Sequence, residues 1–216
     1  MSFVEELNNL KENAKVRLPK DIYESYEKAI KDLEKENIEK IALNKGDLAP
    51  NFTLKNHLGK IIELDELLKS GPVIINFYRG GWCPYCNLEL RAYERVLDEI
   101  NNLGGVFIAI SPETPDNSIS TKEKNELRFD VLSDLNNEVA KEFKIVFKVP
   151  NNIAKIYEER GMNLSKSQSN ELNELPLPAI YIIDKNRKIQ FAFVKADYKD
   201  RLDPSIVLEE LKKLRR

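Results

Sequence analysis

The chain has 216 residues, 42% of them hydrophobic and 32% charged, which is enough apolar material for one packed domain with an elaboration and too much for a disordered chain. Its 34 basic and 36 acidic residues are interleaved and leave a net charge of −2, which argues against a nucleic-acid partner. No window approaches the roughly eighteen apolar residues of a membrane helix, and Met1 to Leu10 has no basic stretch before an apolar run, so a cytoplasmic protein with neither membrane span nor secretory signal is expected.

Residues 1–45 read as a charged helical extension. Ser2 followed by Glu5 has the spacing of a capping box. Ile22, Tyr23, Tyr26, Ala29, Ile30 and Leu33 recur at three- and four-residue intervals and define one apolar helix face. That face must pack on the body of the protein or on a second subunit, so a homodimer is compatible with it without being required. Asn44 to Asn51, with Gly46 and Pro50, breaks the pattern and separates the extension from a second unit, residues 46–216.

In that second unit strands and helices alternate. Val73 to Tyr78 is a short apolar, β-branched run suited to a central strand. Arg79-Gly80-Gly81-Trp82 turns the chain, and one helix is expected beyond it, with Tyr93, Val96, Leu97, Ile100 and Leu103 on its core face and Gly104-Gly105 at its end. Val106 to Ile110 completes a βαβ unit, so its two strands should run parallel. Phe129 to Leu132 reads as a short strand and Asn136 to Phe143 as a helix, whereas Ile145 to Gln168 has no clear period and is broken by Pro150 and Gly161. Ala179 to Ile183 and Ile189 to Val194 read as a hairpin, and Asp203 caps a last helix with Pro204 at its first position. The order βαβ, insertion, ββα predicts an α/β, thioredoxin-like fold, with a central mixed sheet flanked by helices and an N-terminal helical extension.

The two cysteines of the chain lie within four residues, Cys83-Pro84-Tyr85-Cys86. A disulfide-stapled secreted domain spreads more cysteines along its length, so a lone CxxC pair points to redox chemistry. The expected place of Cys83 is a helix N-terminus, where unpaired N–H groups and the helix dipole favour the thiolate. Cys86 is about one turn further along the same face and within reach of it. Arg79, four residues earlier, can add positive charge. A zinc site would need four ligands, and only the pair and His57, in a turn before Gly59, are at hand. Two inert core cysteines are the other bland reading.

From Phe77 to Cys86 the chain resembles the alkyl hydroperoxide reductase and thiol-specific antioxidant family, and within it the peroxiredoxin-like branch with a thioredoxin-style CPYC motif. The likeness continues through Gly46 to Leu54, Ile110 to Thr114, Val131 to Asp134, Leu177-Pro178-Ala179 and Phe191 to Tyr198. It implies an antioxidant peroxidase that reduces hydrogen peroxide or organic hydroperoxides, needs no metal or bound cofactor, and is recycled through a disulfide by a thioredoxin-like donor. It also implies a cis-proline at Pro178, a partner-docking role for Trp82, and an Arg201 that stabilises thiolate or peroxide oxygen; Pro84 inside the pair supports the site, and Tyr85 beside it can tune the redox potential by packing. For Trp82 core packing, and for Arg201 an ordinary surface position, are the bland alternatives.

The family's usual hydroxyl residue three places before its peroxidatic cysteine is replaced here by Cys83. On that register Cys86 is peroxidatic, whereas on the thioredoxin register Cys83 is the exposed nucleophile and Cys86 its resolver. Two other functions stay open at this point: a thioredoxin-type protein disulfide oxidoreductase without significant peroxidase activity, and a non-catalytic redox switch.

Overall fold

The computed structural model describes residues 1–215. Three helices come first: α1 (Phe3–Arg17), α2 (Lys20–Lys35) and α3 (Ile38–Ile41). The capping box at the start of α1 forms as expected, with Ser2 Oγ accepting from Glu5 N at 3.3 Å and Glu5 Oε2 accepting from Ser2 N at 2.8 Å. Pro19 ends α1, because the residue before a proline is driven to extended backbone; Leu18 sits at φ −83°, ψ 140°.

A hairpin of β1 (Thr53–Asn56) and β2 (Ile61–Glu63) leads through α4 (Leu64–Leu68) into β3 (Val73–Phe77), then α5 (Pro84–Arg95), α6 (Leu97–Asn102) and β4 (Val106–Ser111). The next stretch holds α7 (Pro115–Lys124), β5 (Asp130–Ser133), α8 (Glu138–Glu142), β6 (Val146–Lys148), α9 (Asn151–Glu159), α10 (Leu164–Gln168) and β7 (Glu174–Pro176). The chain closes with β8 (Ala179–Ile183), β9 (Ile189–Val194) and α11 (Pro204–Leu214). Among the described residues the main sheet has seven strands in the order β2-β1-β5-β4-β3-β8-β9, and β6 pairs with β7 separately.

β3 is the hinge of the arrangement. It runs parallel to β4, with Phe77 opposite Ile110, and antiparallel to β8, with Phe77 opposite Ala179. All five of its side chains are buried because helices cover both faces of the sheet. Alternation sends Ile74 and Tyr78 to a core shared with α5, α6, α11 and Phe3 and Leu7 of α1. Val73, Ile75 and Phe77 go to the other core, with Leu64, Leu68, Phe143 and Tyr181. The βαβ unit therefore delivers residues 78–83 to the carboxyl edge of the sheet, where open α/β sheets place their crevice.

Two expectations need correction here. The single helix after the cysteine pair is two, because the backbone at Val96 leaves the helical region (φ −109°, ψ 10°). Val96 is β-branched and poorly suited to a helix interior, and the bend beside it lets Leu97 and Ile100 turn into the core. The cis-proline at Pro178 is also absent: the described residues contain no cis peptide bond. Leu177 N donates to Ile145 O at 2.7 Å and Pro178 O accepts from Lys195 N at 3.4 Å. That extended path is met by the trans bond, which is the lower-energy isomer by about 0.5–1 kcal/mol.

The stretch 145–168, aperiodic in the sequence, folds into β6, α9 and α10. Leu175, Val149, Ile153 and Leu164 make a small satellite core there, against which Tyr26 and Ala29 of α2 pack. Much of the apolar face of α2, Tyr26, Ala29, Ile30 and Leu33, is thus packed within the chain.

Candidate active site

Gly80 and Gly81 set the loop before the cysteines. Gly80 has φ +147°, and a Cβ on it would stand 2.3 Å from Trp82 Nε1 and 2.9 Å from Glu113 Cδ. A Cβ on Gly81 would stand 2.0 Å from Thr121 Oγ1. The close approach lets Gly81 N donate to Glu113 Oε2 at 2.7 Å, while Asn87 Nδ2 donates to Gly81 O at 2.7 Å. The loop is thereby pinned between β4's carboxyl end and the first turn of α5.

Cys83 is the N-cap of α5 and Pro84 its first residue, where the missing N–H costs nothing. Cys83 is not the exposed nucleophile of the thioredoxin register: it is 1% exposed, because α1, α2, Trp82, Tyr157 and Tyr198 close over it. It does line a cleft of ≈ 410 Å³ beneath the N-terminal helices, whereas Cys86 does not reach that cleft. Both cysteines are free thiols.

The two sulfurs have different partners. Arg79 Nη1 lies 4.0 Å from Cys83 Sγ, and its guanidinium packs 4.1 Å from the Tyr198 ring and 4.8 Å from the Trp82 ring. Arg79 Nη2 donates to Tyr157 Oη. Arg201 Nη2 lies 3.3 Å from Cys86 Sγ, its Nη1 pairs with Glu89, and its Nε donates to Tyr198 O at 2.9 Å. Arg201 is no surface arginine, since its side chain is fully enclosed. It has a carboxylate partner, while Arg79, also buried, has none among the described residues. A buried cation without a counter-charge is strongly unfavourable, and the one anion the geometry offers Arg79 is the Cys83 thiolate.

The titration behaviour follows. Burial works against a Cys83 anion, but the hydrogen bond from Cys86 and the charges of Arg79 and Arg201 outweigh it, so this thiol is held well below the ordinary cysteine range. Burial, the hydrogen bond given to Cys83 and the charge developing there push the Cys86 thiol up. Burial also raises Glu89, against the pull of Arg201, and lifts the Glu113 carboxyl to about 7 despite hydrogen bonds from Gly81 N and Ser167 Oγ.

Each residue named from the sequence has a place. Cys83, Cys86, Arg79, Trp82, Pro84 and Arg201 converge on one site; Trp82 is half-buried, packed 5.4 Å from the Tyr157 ring and lining the cleft. Tyr85 is buried, edge-on to Tyr198 at 5.6 Å. Pro178 borders the neighbouring hollow that Arg79, Tyr157 and Tyr198 also line. Sequence reasoning missed Glu89, Tyr157 and Glu113. Glu89 alone carried a local signal, a carboxylate set between Leu88 and Leu90 one turn beyond Cys86.

Comparison with known proteins completes the picture. Residues 45–192 match the profile of the AhpC/TSA family. Peroxiredoxin Q, chloroplastic, of Oryza sativa subsp. japonica is 28% identical over 151 residues, which are 70% of this chain and 59% of the rice protein. Peroxiredoxin Q, chloroplastic, of Populus jackii is 31% identical over 103 residues, 48% of each chain. This chain therefore spans about half to three-fifths of the length of these relatives. The crystal structure of peroxidoxin BcpB from Mycobacterium tuberculosis superposes with a TM-score of 0.64 at 20% identity, covering 81% of this chain and 99% of that one. At that identity the likeness concerns the fold, and it agrees with the thioredoxin-like architecture expected from the sequence.

Proposed function

The chain belongs to the AhpC/TSA family, and on that premise we propose that it is a thiol-dependent peroxidase in which Cys83 is the nucleophile and Cys86 the resolving thiol. The observation that carries this assignment is the inequality of the two sulfurs. Cys83 borders the cleft and faces a cation with no carboxylate of its own, while Cys86 lies behind it beside an arginine already paired with Glu89.

The Cys83 thiolate attacks the terminal oxygen of a hydroperoxide. The O–O bond breaks, the alkoxide or hydroxide leaves and takes up a proton, and Cys83 becomes a sulfenic acid. Arg79 keeps the thiolate ionised before attack and favours the charge leaving on oxygen during it. Cys86 then attacks the Cys83 sulfur, the S–S bond forms, and the hydroxyl leaves with the Cys86 proton as water. The net reaction is one hydroperoxide plus two thiols giving an alcohol or water, a second water and a disulfide. A thioredoxin-like dithiol restores the pair by exchange.

The rest of the reading is proposed with it. Residues 1–45 are an extension on a peroxiredoxin-like body, 46–216. Trp82 and Tyr198 box Arg79, Pro84 starts the helix, Pro178 borders the site and Arg201 holds Cys86. The protein works in a reducing cytoplasm, where an antioxidant CxxC pair can be recycled, and no described helix is long and apolar enough to cross a membrane. A homodimer and the absence of a nucleic-acid partner are kept as expectations of the same reading.

The deciding experiment follows loss of thiols when the fully reduced chain meets one equivalent of hydrogen peroxide or an organic hydroperoxide. Oxidation much faster than that of free cysteine is expected, with a trapped sulfenic acid in Cys86→Ser and none in Cys83→Ser. A sulfenic acid only in Cys83→Ser would reverse the assignment. Rates no faster than free cysteine with either peroxide would leave disulfide exchange as the function.

A further inference from the structure

Cys83 and Cys86 are 1% and 0% exposed. The cleft of ≈ 410 Å³ admits a peroxide to Cys83, but it does not admit a protein. Thiol–disulfide exchange requires the donor's own sulfur to meet a sulfur of the pair, and the N-terminal helices stand in the way. Recycling by a protein dithiol therefore needs part of the chain to move.

The part least held is the elbow between α1 and α2. Its flanks are anchored: Phe3 and Leu7 are buried in the core shared with α5, and Ile30 and Leu33 are buried at the far end of α2. Between these anchors, residues 8–29 include no buried residue. Yet Asn13, Arg17 and Glu27 of this stretch line the cleft on Cys83 beside Ala14, Leu18 and Tyr23. Opening the elbow thus exposes a mixed surface, at little loss of apolar contact. Its ion pairs to the body, Lys11 with Asp200 at 2.8 Å and Glu27 with Lys199, are partly exposed and hold weakly.

The charge beneath the elbow depends on the redox state. Buried Arg79 has no carboxylate partner among the described residues, and in the reduced chain the Cys83 thiolate, 4.0 Å away, balances it. Closing the disulfide removes two electrons and the Cys86 proton, and with them the negative charge of Cys83. A hydroperoxide accepts both electrons, the Cys86 proton and one proton from solvent, leaving as an alcohol or water and a second water. Arg79 stays protonated. A buried cation without an anion is strongly unfavourable, and the least stable cover over it gives way first. Arg79 is joined to that cover through Tyr157, which accepts from Nη2 and whose ring lies 5.7 Å from Tyr26 of α2.

We infer that residues 8–29 form a redox-gated lid, shut over the reduced pair and released when the disulfide forms, which uncovers Trp82, Tyr85 and Tyr157 to a thioredoxin-like dithiol. The inference rests on the proposed reading in which Cys83 carries the thiolate and pairs with Cys86. Peroxide then meets a closed site and the donor an open one, and the donor's surface is withheld until there is a disulfide to reduce.

Amide hydrogen exchange of the full chain, reduced and then oxidised with diamide, tests this. Diamide takes the same two electrons and two protons and needs no peroxidase activity. Exchange in 8–29 is expected to be at least about tenfold faster in the oxidised chain, with α11 unchanged. Arg79→Met, which has no charge to strand, should exchange slowly in both states. The double variant Cys83→Ser, Cys86→Ser, which has no thiolate, should exchange fast with or without diamide. Far-UV circular dichroism identifies a variant that fails to fold, and either variant suffices. A disulfide that leaves exchange in 8–29 unaltered, or that speeds α11 equally, overturns the lid and leaves the peroxidase reading standing. So does a folded variant that responds to diamide as the wild type does. Failure of the pair to form a disulfide with diamide or hydrogen peroxide overturns the lid and the peroxidase reading together.

Discussion

The inner and outer halves of the active site use the same ingredients to opposite effect. Each half holds one cysteine and one buried arginine. On the inner side Arg201 is paired with Glu89, and burial, the hydrogen bond given to Cys83 and the charge there keep the Cys86 thiol protonated beside it. On the outer side Arg79 is surrounded by aromatic rings and a tyrosine hydroxyl, which stabilise a cation without cancelling it. The charge is left for Cys83. Two identical side chains three residues apart are made unlike by the hydrogen bond between them and the charge it favours on Cys83, and only one of the two neighbouring arginines has a carboxylate beside it.

The strongest way to break this contrast is Glu89→Gln. It leaves Arg201 enclosed without a counter-charge, and removing one partner of a buried pair costs about 3–5 kcal/mol, readable as a lower urea midpoint at unchanged slope. The freed arginine should also draw the Cys86 thiol down, so that both cysteines are alkylated at neutral pH. A Cys86 reactivity that stays at the wild-type level would mean that Glu89 is not what distinguishes the halves.

Next in size is Arg79→Met. It removes the outer cation, so the Cys83 pKa rises and the rate of alkylation or peroxide oxidation at pH 7 should fall by about 10–100-fold, with the pH profile displaced upward. A lowered folded pKa means that the thiolate adds stability to the reduced protein above the ordinary thiol range, and that this is lost as pH falls through the folded value. Arg79→Met should flatten that dependence in thermal melts of the reduced form. A profile that does not move would sink the role given to Arg79.

Much of this contrast was legible in the sequence. The run Val73 to Tyr78, the glycine pair and the CxxC fixed where the sulfurs would sit, and Arg79 was close enough along the chain to be named. Arg201 was found only through the family motif around it. What could not be read was the counter-charge pattern. Glu89 had a local signal but no visible partner, since Arg201 is 112 residues away. Tyr157 sits in a stretch with no clear period, and its contact with Arg79 exists only after α9 packs on α2. The burial of Cys83 was hidden for the same reason, because the helices that line its cleft lie some 60 residues earlier and dock through long-range contacts.

A milder change sharpens the comparison from the other side. Tyr157→Phe keeps the ring against Arg79 and removes only the hydroxyl that accepts from Nη2. A loss of about 1 kcal/mol in stability is expected, with the thiolate of Cys83 unchanged or slightly favoured. The smallest effect concerns Glu113, which touches the loop and neither sulfur. Its folded pKa, raised to about 7, makes it a source of stability that is complete below the ordinary carboxyl range and is lost as pH rises through about 7. In Glu113→Gln that decline should vanish from the melting temperature while the pH profile of Cys83 alkylation stays in place.

Three N-terminal helices fasten residues 195–200, through Lys11 on Asp200, Glu27 on Lys199 and Glu39 on Ala196 N, and this has a practical corollary. Proteolysis in the Leu18-Pro19 connection would remove Lys11 and its grip on Asp200 together with half of the cleft wall. Every group that touches sulfur would survive. Such a nicked preparation would still titrate for two thiols yet lack part of the wall that lines the Cys83 cleft, so intact mass belongs beside thiol count as a criterion of sample quality.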